Sequence, residues 1–363
     1  MKYSVIIPVY NRPNEVSELL ESLAKQSFHD FEVIVVEDGS TIVCADVVKE
    51  YENKLDVHYF VKPNSGPGRS RNYGVERSSG EYVLILDSDV VLPEGYLQAV
   101  DNELKEHPCD AFGGPDRAHR DFSATQKAIN YAMTSFFTTG GIRGGKQKLD
   151  KFYPRSFNMG IRRSVYDALN GFSEMRFGED IDFSLRLVEG GYKCSLFPTA
   201  WVWHKRRTDL CKFFRQVHNS GIARINLMKR HPGSLKLVHC LPAVFTVGVS
   251  LLMLLCIFGL LLISVGPYIM DSNAKFFGDP LALGIMSDGL SIVLWALFLP
   301  ILFSLMVLVD STVRNKSVVV GLRSIAASYV QLLGYGSGFL SAWWQRCVCR
   351  KGEFEAFKET FYK

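Results

Sequence analysis

The sequence predicts an α/β domain on a doubly wound, mostly parallel sheet, followed by an α-helical membrane region. Three observations predict it. Up to about Lys236, short apolar runs alternate with stretches of helical spacing, the pattern of strand–helix repetition. Polar and acidic clusters fall where the predicted strands end, which is where open parallel sheets bind ligands. Beyond Val238 the run "VHCLPAVFTVGVSLLMLLCIFGLLLISVGPYIM" has no charged side chain until Asp271. That exceeds the ~20 apolar residues a bilayer span needs.

The elements follow in order. "YSVIIPVY" reads as a buried strand and "NEVSELLESLAKQS" as a helix. "FEVIVVED" is the next strand, "VCADVVKEYEN" a helix and "DVHYFVK" a strand. "GPGRSRNYGVERS" opens another helix, and "EYVLILDSD" is a further strand. The polar clusters at their ends are Tyr10-Asn11, Glu37-Asp38-Gly39-Ser40 and Asp87-Ser88-Asp89. After Pro115 the pattern loosens into "TTGGIRGGKQKLD", a glycine-rich basic loop by default and a candidate lid. "DLCKFFRQVHNSGIARINLMKR" has apolar residues near helical spacing opposite lysines and arginines, which suits an amphipathic helix on a membrane surface.

A chain of 363 residues with a net charge of +4 allows one large domain and an added module. We read residues 1–208 as the soluble domain, 209–236 as an interfacial helix and linker, 237–345 as the membrane region and 346–363 as a basic tail. The expected spans are about 238–269 and 289–309. The third apolar segment, 317–344, carries glycines, serines and Arg323, and is expected to lie in the interface or re-enter. Basic residues crowd the approach to the first span (His204 to Arg207, Lys229, Arg230, Lys236), whereas Asp271 to Asp288 holds three acids and one lysine. The positive-inside rule then predicts an integral inner (cytoplasmic) membrane protein with its soluble domain cytoplasmic. The "YSVIIPVYN" start lacks the features of a secretory signal. The eight cysteines lack metal-ligand spacing and suit reduced thiols.

Several clusters carry chemical potential. Asp87 and Asp89, at a strand's end, would lie on one side of an extended chain and could hold a hard divalent cation; they also suit a turn. Glu37 and Asp38 could accept hydrogen bonds from a base or ribose, although Asp-Gly is a strong turn signal. In "NSGPGRSRNYG" the G-x-G-x-x-G spacing fails because Arg71 stands at the last glycine position, which argues against a dinucleotide-binding dehydrogenase. Arg69 and Arg71 at a helix start instead suit a pyrophosphate. His204 is a metal ligand or a juxtamembrane cation. In "RFGEDIDFSLRL", Glu179, Asp180 and Asp182 suit the first turn of a helix, where acids complement its positive end.

Together these pieces resemble the family 2 glycosyltransferases, which have the nucleotide-diphospho-sugar (GT-A) fold. The matching stretches are "SVIIPVYNRP", "VEDGS", "GPGRSRNYG", "LDSD", "NMGIRRSVYDALNGFSE" and "GEDIDFSLRL", across about residues 3–190. The membrane-anchored exopolysaccharide or lipid-linked glycan branch is similar through "WVWHKRR", "FFRQVHNSGIARI" and "YGSGFL". The resemblance implies that Pro8, Tyr10, Glu37 or Asp38, Arg71 and Ser88 hold the nucleotide. Asp87 would contact ribose or metal, and Asp89 would bind Mg²⁺ or Mn²⁺, with His204 as a further metal or diphosphate ligand. Asp180 would be the catalytic base, with Asn158 and Glu179 supporting the acceptor side. Two features depart from the pattern: Glu37 stands in the usual aspartate pair, and "RQVHNSG" lacks the Arg-Trp of processive synthases.

The implied reaction is a metal-dependent, inverting transfer of one sugar from a UDP- or GDP-sugar to a hydroxyl of a lipid-linked or glycan acceptor. It would serve polysaccharide or glycolipid synthesis at a membrane lipid surface, without nucleic acid. The alternatives are transfer to polyprenyl phosphate, processive polymer synthesis, and a silent scaffold that binds nucleotide-sugar.

Overall fold

The computed structural model describes residues 1–117, 122–139, 152–205, 207–269 and 280–357. Its N-terminal half runs β1 (Tyr3–Val9), α1 (Pro13–Ala24), β2 (Phe31–Asp38), α2 (Ala45–Lys49), β3 (Val57–Lys62), α3 (Pro67–Val75), β4 (Tyr82–Leu86) and β5 (Val90–Val91). It continues through α4 (Tyr96–Glu106), β6 (Ala111–Gly113), β7 (Asp116–Arg117), α5 (Ala124–Thr134), α6 (Phe136–Thr139), β8 (Asn158–Arg162) and α7 (Arg163–Ala168). It closes with α8 (Glu179–Glu189), β9 (Cys194–Leu196) and β10 (Val202–His204). Seven strands form one sheet in the order β3-β2-β1-β4-β8-β6-β9. β1 is parallel to β2 and β4, and β2 to β3, whereas β8 runs antiparallel to β4 and β6. The sheet is therefore mostly parallel, as the alternating pattern predicts.

Period-2 geometry sends alternate side chains of β1 to opposite faces. Tyr3, Val5, Ile7 and Val9 join the core under α1 and α4, while Ile6 joins the core under α3 and α8. Both faces are thus covered, and β1 and β2 read as continuous apolar runs because neither meets water. Helix α3 lies very close to the sheet: a Cβ at Gly74 would come within 2.7 Å of the Ile6 Cγ2. A second, three-stranded sheet, β5-β10-β7, sits at the carboxyl end of β4.

The C-terminal half holds α9 (Leu210–Arg230), α10 (Leu237–Ile269), α11 (Pro280–Asn315), α12 (Val318–Trp343), a π-helical turn (Trp344–Val348) and α13 (Glu353–Phe357). Among the described residues three helices are long and apolar enough to cross a membrane, over Leu237–Val265, Leu283–Asn315 and Val318–Val348. The expected loop 271–288 is shorter than the charge pattern suggests. Residues 280–288 belong to α11, and 271–279 lie outside the described residues.

Within segment 317–344, Val318–Trp343 form one continuous helix, α12. Its most apolar stretch is 44% buried, against 6% and 11% for the other two, because α12 packs against α5, α9, α10 and α11. Glycines permit that contact. A Cβ on Gly338 would lie 2.0 Å from the His218 carbonyl oxygen, and one on Gly221 would lie 2.1 Å from that of Tyr335. Close backbone approach through small residues is how membrane helices gain dispersion energy without a hydrophobic drive. The bundle is pinned to the N-terminal half by Tyr131, which donates to Asp310 at 2.7 Å, and by Arg323, which donates to Thr125 at 2.9 Å.

Candidate active site

Strand β4 stops at Leu86, and Asp87-Ser88-Asp89 forms a tight turn in which the Val90 N–H donates to the Asp87 carbonyl at 3.3 Å. The extended geometry expected for the two aspartates is replaced by this turn. Antiparallel pairing of β10 with β5 places His204 opposite Val90, so a residue 115 positions away in sequence lands beside Asp89. Ligand atoms of Asp87, Asp89 and His204 all lie within 4.8 Å of one another. The His204 Nε2 is 3.3 Å from the Asp89 Oδ1, and its ring stacks on Phe157 at 5.1 Å. Its Nδ1 is buried without a hydrogen-bond partner, and the Asp116 carboxylate stands 3.8 Å away. Two carboxylates and an imidazole are a donor set that suits Mg²⁺ or Mn²⁺. The residues fit such an ion.

Asp87 and Asp89 line a cleft of about 370 Å³ together with Pro8, Tyr10, Arg12, Asp38, Arg71, Ser88 and Arg207. Burial alone would raise the Asp89 pKa, but His204 and then Arg12 outweigh it and hold the carboxyl well below the usual range. Burial opposes protonation of His204, yet the neighbouring carboxylates of Asp116, Asp89 and Asp87 outweigh it and push its pKa up to about 9. Arg207 is shifted down, first by burial and then by the charge of Arg12. The cleft is therefore a dense alternation of charges at the carboxyl end of the sheet.

Several expected ligands are placed differently. Glu37 is fully buried: it accepts from Ser40, from the Cys44 N–H at 2.8 Å and from the Tyr59 hydroxyl at 3.0 Å. Its carboxylate holds the loop after β2 and is not among the groups that line the cleft, where a nucleotide-holding residue was expected. Asp38 does reach the cleft, but it pairs with Lys62 and accepts the N–H groups of Ser65 at 2.9 Å and Gly66 at 2.8 Å. The donors at the start of α3 thus go to Asp38 rather than to a pyrophosphate. Arg69 is solvent-facing and pairs with Glu174 at 2.7 Å.

Arg71 is a buried strut as well as a lining residue. It donates to Glu179 at 2.8 Å, to Asp87 at 3.0 Å and to Ser156 at 3.1 Å, tying α3 and the Asp87–Asp89 turn to the start of α8. Asn158 is almost fully buried. It accepts from Tyr96 at 2.6 Å, donates to the Ala200 carbonyl at 2.8 Å and is sealed inside the sheet.

Glu179, Asp180 and Asp182 lie in the first turn of α8, as expected. Gly178 takes the cap position at φ +84, a left-handed conformation that glycine adopts without Cβ strain, and no side chain caps the helix. Each acid has its own partner instead. Glu179 pairs with Arg71, and burial leads in raising its pKa. Asp180 accepts from the Arg155 Nε at 2.8 Å. Burial would raise its pKa too, but Arg155 and Arg71 overcome it and keep the carboxylate ionised. Asp182, sealed from solvent, accepts from Ser173 at 2.6 Å and Arg186 at 2.9 Å and meets the His231 Nε2 at 2.9 Å.

Sequence reasoning missed Arg12, Arg155 and Arg207. Arg12 stands two residues after Tyr10 at the end of β1, so its position was legible although its partner was not. Arg207 was read only as a topogenic cation, and Arg155 follows the glycine-rich segment, whose residues 140–151 lie outside the described residues.

Residues 4–169 match the family model for glycosyl transferase family 2. The poly(ribitol-phosphate) beta-N-acetylglucosaminyltransferase TarS of Staphylococcus aureus is 41% identical over 114 residues, 30% of this chain and 20% of that protein. A poly(ribitol-phosphate) beta-glucosyltransferase of Bacillus spizizenii is 38% identical over 116 residues, 30% of this chain and 18% of that one. The chain thus spans about a fifth of the length of these curated relatives. A solved mannosyltransferase, PcManGT from Pyrobaculum calidifontis in complex with GDP-Man and Mn²⁺, shares the fold, with a TM-score of 0.54 over 95% of this chain and 88% of that one at 14% identity. Asp180 and His204 lie beyond the matched segment, and the fold brings His204 beside Asp87 and Asp89. The matched segment, residues 4–169, is similar to glycosyl transferase family 2, and the N-terminal half of this chain has the GT-A fold, with a region of three long apolar helices behind it.

Proposed function

We propose that the protein transfers a single sugar, with inversion, from a UDP- or GDP-sugar to a hydroxyl of a membrane-associated glycan or lipid-linked acceptor. The observation that carries this reading is the Arg71 bridge. One guanidinium joins the Asp87 side of a cation-binding cleft to Glu179, the neighbour of Asp180. Donor and acceptor chemistry would then meet across one buried side chain.

A divalent cation held by Asp89, Asp87 and His204 would offset the negative charge that builds on the departing diphosphate. The chain's own residues do the rest. Pro8, Tyr10, Asp38 and Ser88 line the cleft that would take the nucleotide, and Arg12 and Arg207 add positive charge beside it. Asp180, ionised and fixed at the helix start, would accept the proton of the attacking hydroxyl. The three apolar helices would anchor the protein in the cytoplasmic membrane, with the N-terminal domain on the cytoplasmic side. Cysteine labelling of residues 271–279 in intact cells tests that orientation; labelling near Lys205 with none in the loop would invert it.

One observation favours a second reading, transfer to a polyprenyl phosphate. Arg155, whose side chain is 39% exposed, stands beside Asp180 and would suit an anionic acceptor. Release of nucleoside diphosphate from a panel of donors, with hydroxyl and phosphate acceptors compared, tests both. Binding of nucleotide-sugar without turnover on any acceptor would leave the scaffold reading standing instead.

A further inference from the structure

We propose that Arg12 is a resident counter-ion for Asp89 that competes with the divalent cation until the donor's diphosphate draws it away, so that cation and nucleotide bind as a pair. This rests on the cation-dependent reading above and adds an order and a residue to it.

Both oxygens of Asp89 already face nitrogen atoms of the protein. The Arg12 Nη1 lies 2.5 Å from Oδ2, and the His204 Nε2 lies 3.3 Å from Oδ1. The Asp89 side chain is 11% exposed, so its charge is poorly shared with water and needs a partner on the protein. Arg12 meets that need without any ion. A divalent cation arriving alone must share Asp89 with a guanidinium, and two positive groups in a half-buried cleft repel.

Arg12 is built to leave. It occupies the residue before Pro13, where α1 begins, and its side chain remains 28% exposed. Among the described residues Asp89 is the one carboxylate with which it forms an ion pair. Its planar fork matches phosphate oxygens better than a lone carboxylate oxygen does. Arg207 lines the same cleft with no ion pair among the described residues, and its positive charge acts on Arg12 as well. A diphosphate entering between the two arginines would relieve that repulsion and vacate Asp89. Linkage then requires reciprocity: nucleotide tightens cation binding by the factor by which cation tightens nucleotide binding.

The test uses full-length protein in detergent micelles, with Mn²⁺ as the probe and free Mn²⁺ followed by its electron paramagnetic resonance signal. Without nucleotide, Arg12→Gln should bind Mn²⁺ about tenfold more tightly than wild type, within the range typical of such coupling. Arg12→Lys keeps the charge and should stay near wild type. The gain should vanish when Asp89→Asn is added to Arg12→Gln. With saturating UDP or GDP present, wild type should match or exceed the Arg12→Gln variant.

Equal Mn²⁺ affinity of wild type and Arg12→Gln without nucleotide would overturn the inference while leaving the cation reading intact, provided wild type binds Mn²⁺ with nucleotide. If wild type binds no Mn²⁺ even with UDP or GDP, the cation reading fails and this inference falls with it. A measurement on wild type alone guards against a variant that does not fold: absence of synergy between Mn²⁺ and both nucleotides would also overturn the proposal.

Discussion

Asp180→Asn separates the proposed mechanism from its nearest rival. The substitution keeps the side chain's shape and one oxygen for the Arg155 Nε, which donates to Asp180 at 2.8 Å. The pair is partly open, with the side chains 15% and 39% exposed, so loss of its charge should cost stability no more than about 1 kcal/mol. Arg71 remains paired with Glu179 and Asp87, and the donor cleft is untouched. The amide cannot take a proton. If the acceptor is a hydroxyl, loss of a positioned base should slow turnover by ~10²–10⁴-fold, about 3–5 kcal/mol in the barrier. Nucleotide affinity should be unchanged, so the loss should lie in kcat. Nucleoside diphosphate release under saturating donor, with a thermal melt and a nucleotide titration alongside, measures all three. A phosphate acceptor is already anionic and would need no base. A folded variant with normal donor affinity and nearly normal turnover would therefore refute the role given to Asp180 and favour the lipid-phosphate acceptor.

Asp89→Ala should abolish transfer and Mn²⁺ binding while leaving the melt close to wild type; full activity of the variant in chelator would remove the metal assignment. Asp182 is held below its ordinary pKa: burial works against this, but Ser173, His231 and Arg186 outweigh it. Its stabilising contribution should be complete above the unfolded value of about 3.9 and fade as the pH falls below that. Asp182→Asn should flatten that part of the stability–pH curve, and an unchanged slope would show that the network contributes nothing there. Gly338→Ala should wedge α12 from α9, since the new Cβ would stand 2.0 Å from the His218 carbonyl oxygen, and should cost about 1–3 kcal/mol in a detergent thermal melt. A wild-type melt would mean that the two helices separate freely.

Local order was determined by the sequence itself. The short apolar runs "YSVIIPV" and "FEVIVVED" and the helical spacing of "PNEVSELLESLA" place β1, β2 and α1, because each depends only on the character of neighbouring residues. An apolar helical region after the α/β domain was equally legible from length and composition, although segment 317–344 was expected in the interface and is as long and apolar as a span requires. Aspartates at the end of β4 were visible as candidates for the same reason: strand ends and ligand clefts coincide in this class of sheet. Partner choice was not legible. Glu37 and Asp38 are adjacent acids, yet one serves Ser40, Cys44 and Tyr59 while the other reaches the cleft. Arg12 meets Asp89 across 77 positions, and Arg71 meets Glu179 across 108. Those separations are closed by the strand order β2-β1-β4-β8 and by the pairing of β10 with β5. A charge takes whichever opposite charge the backbone brings within about 4 Å, and that distance exists only once the sheet has assembled.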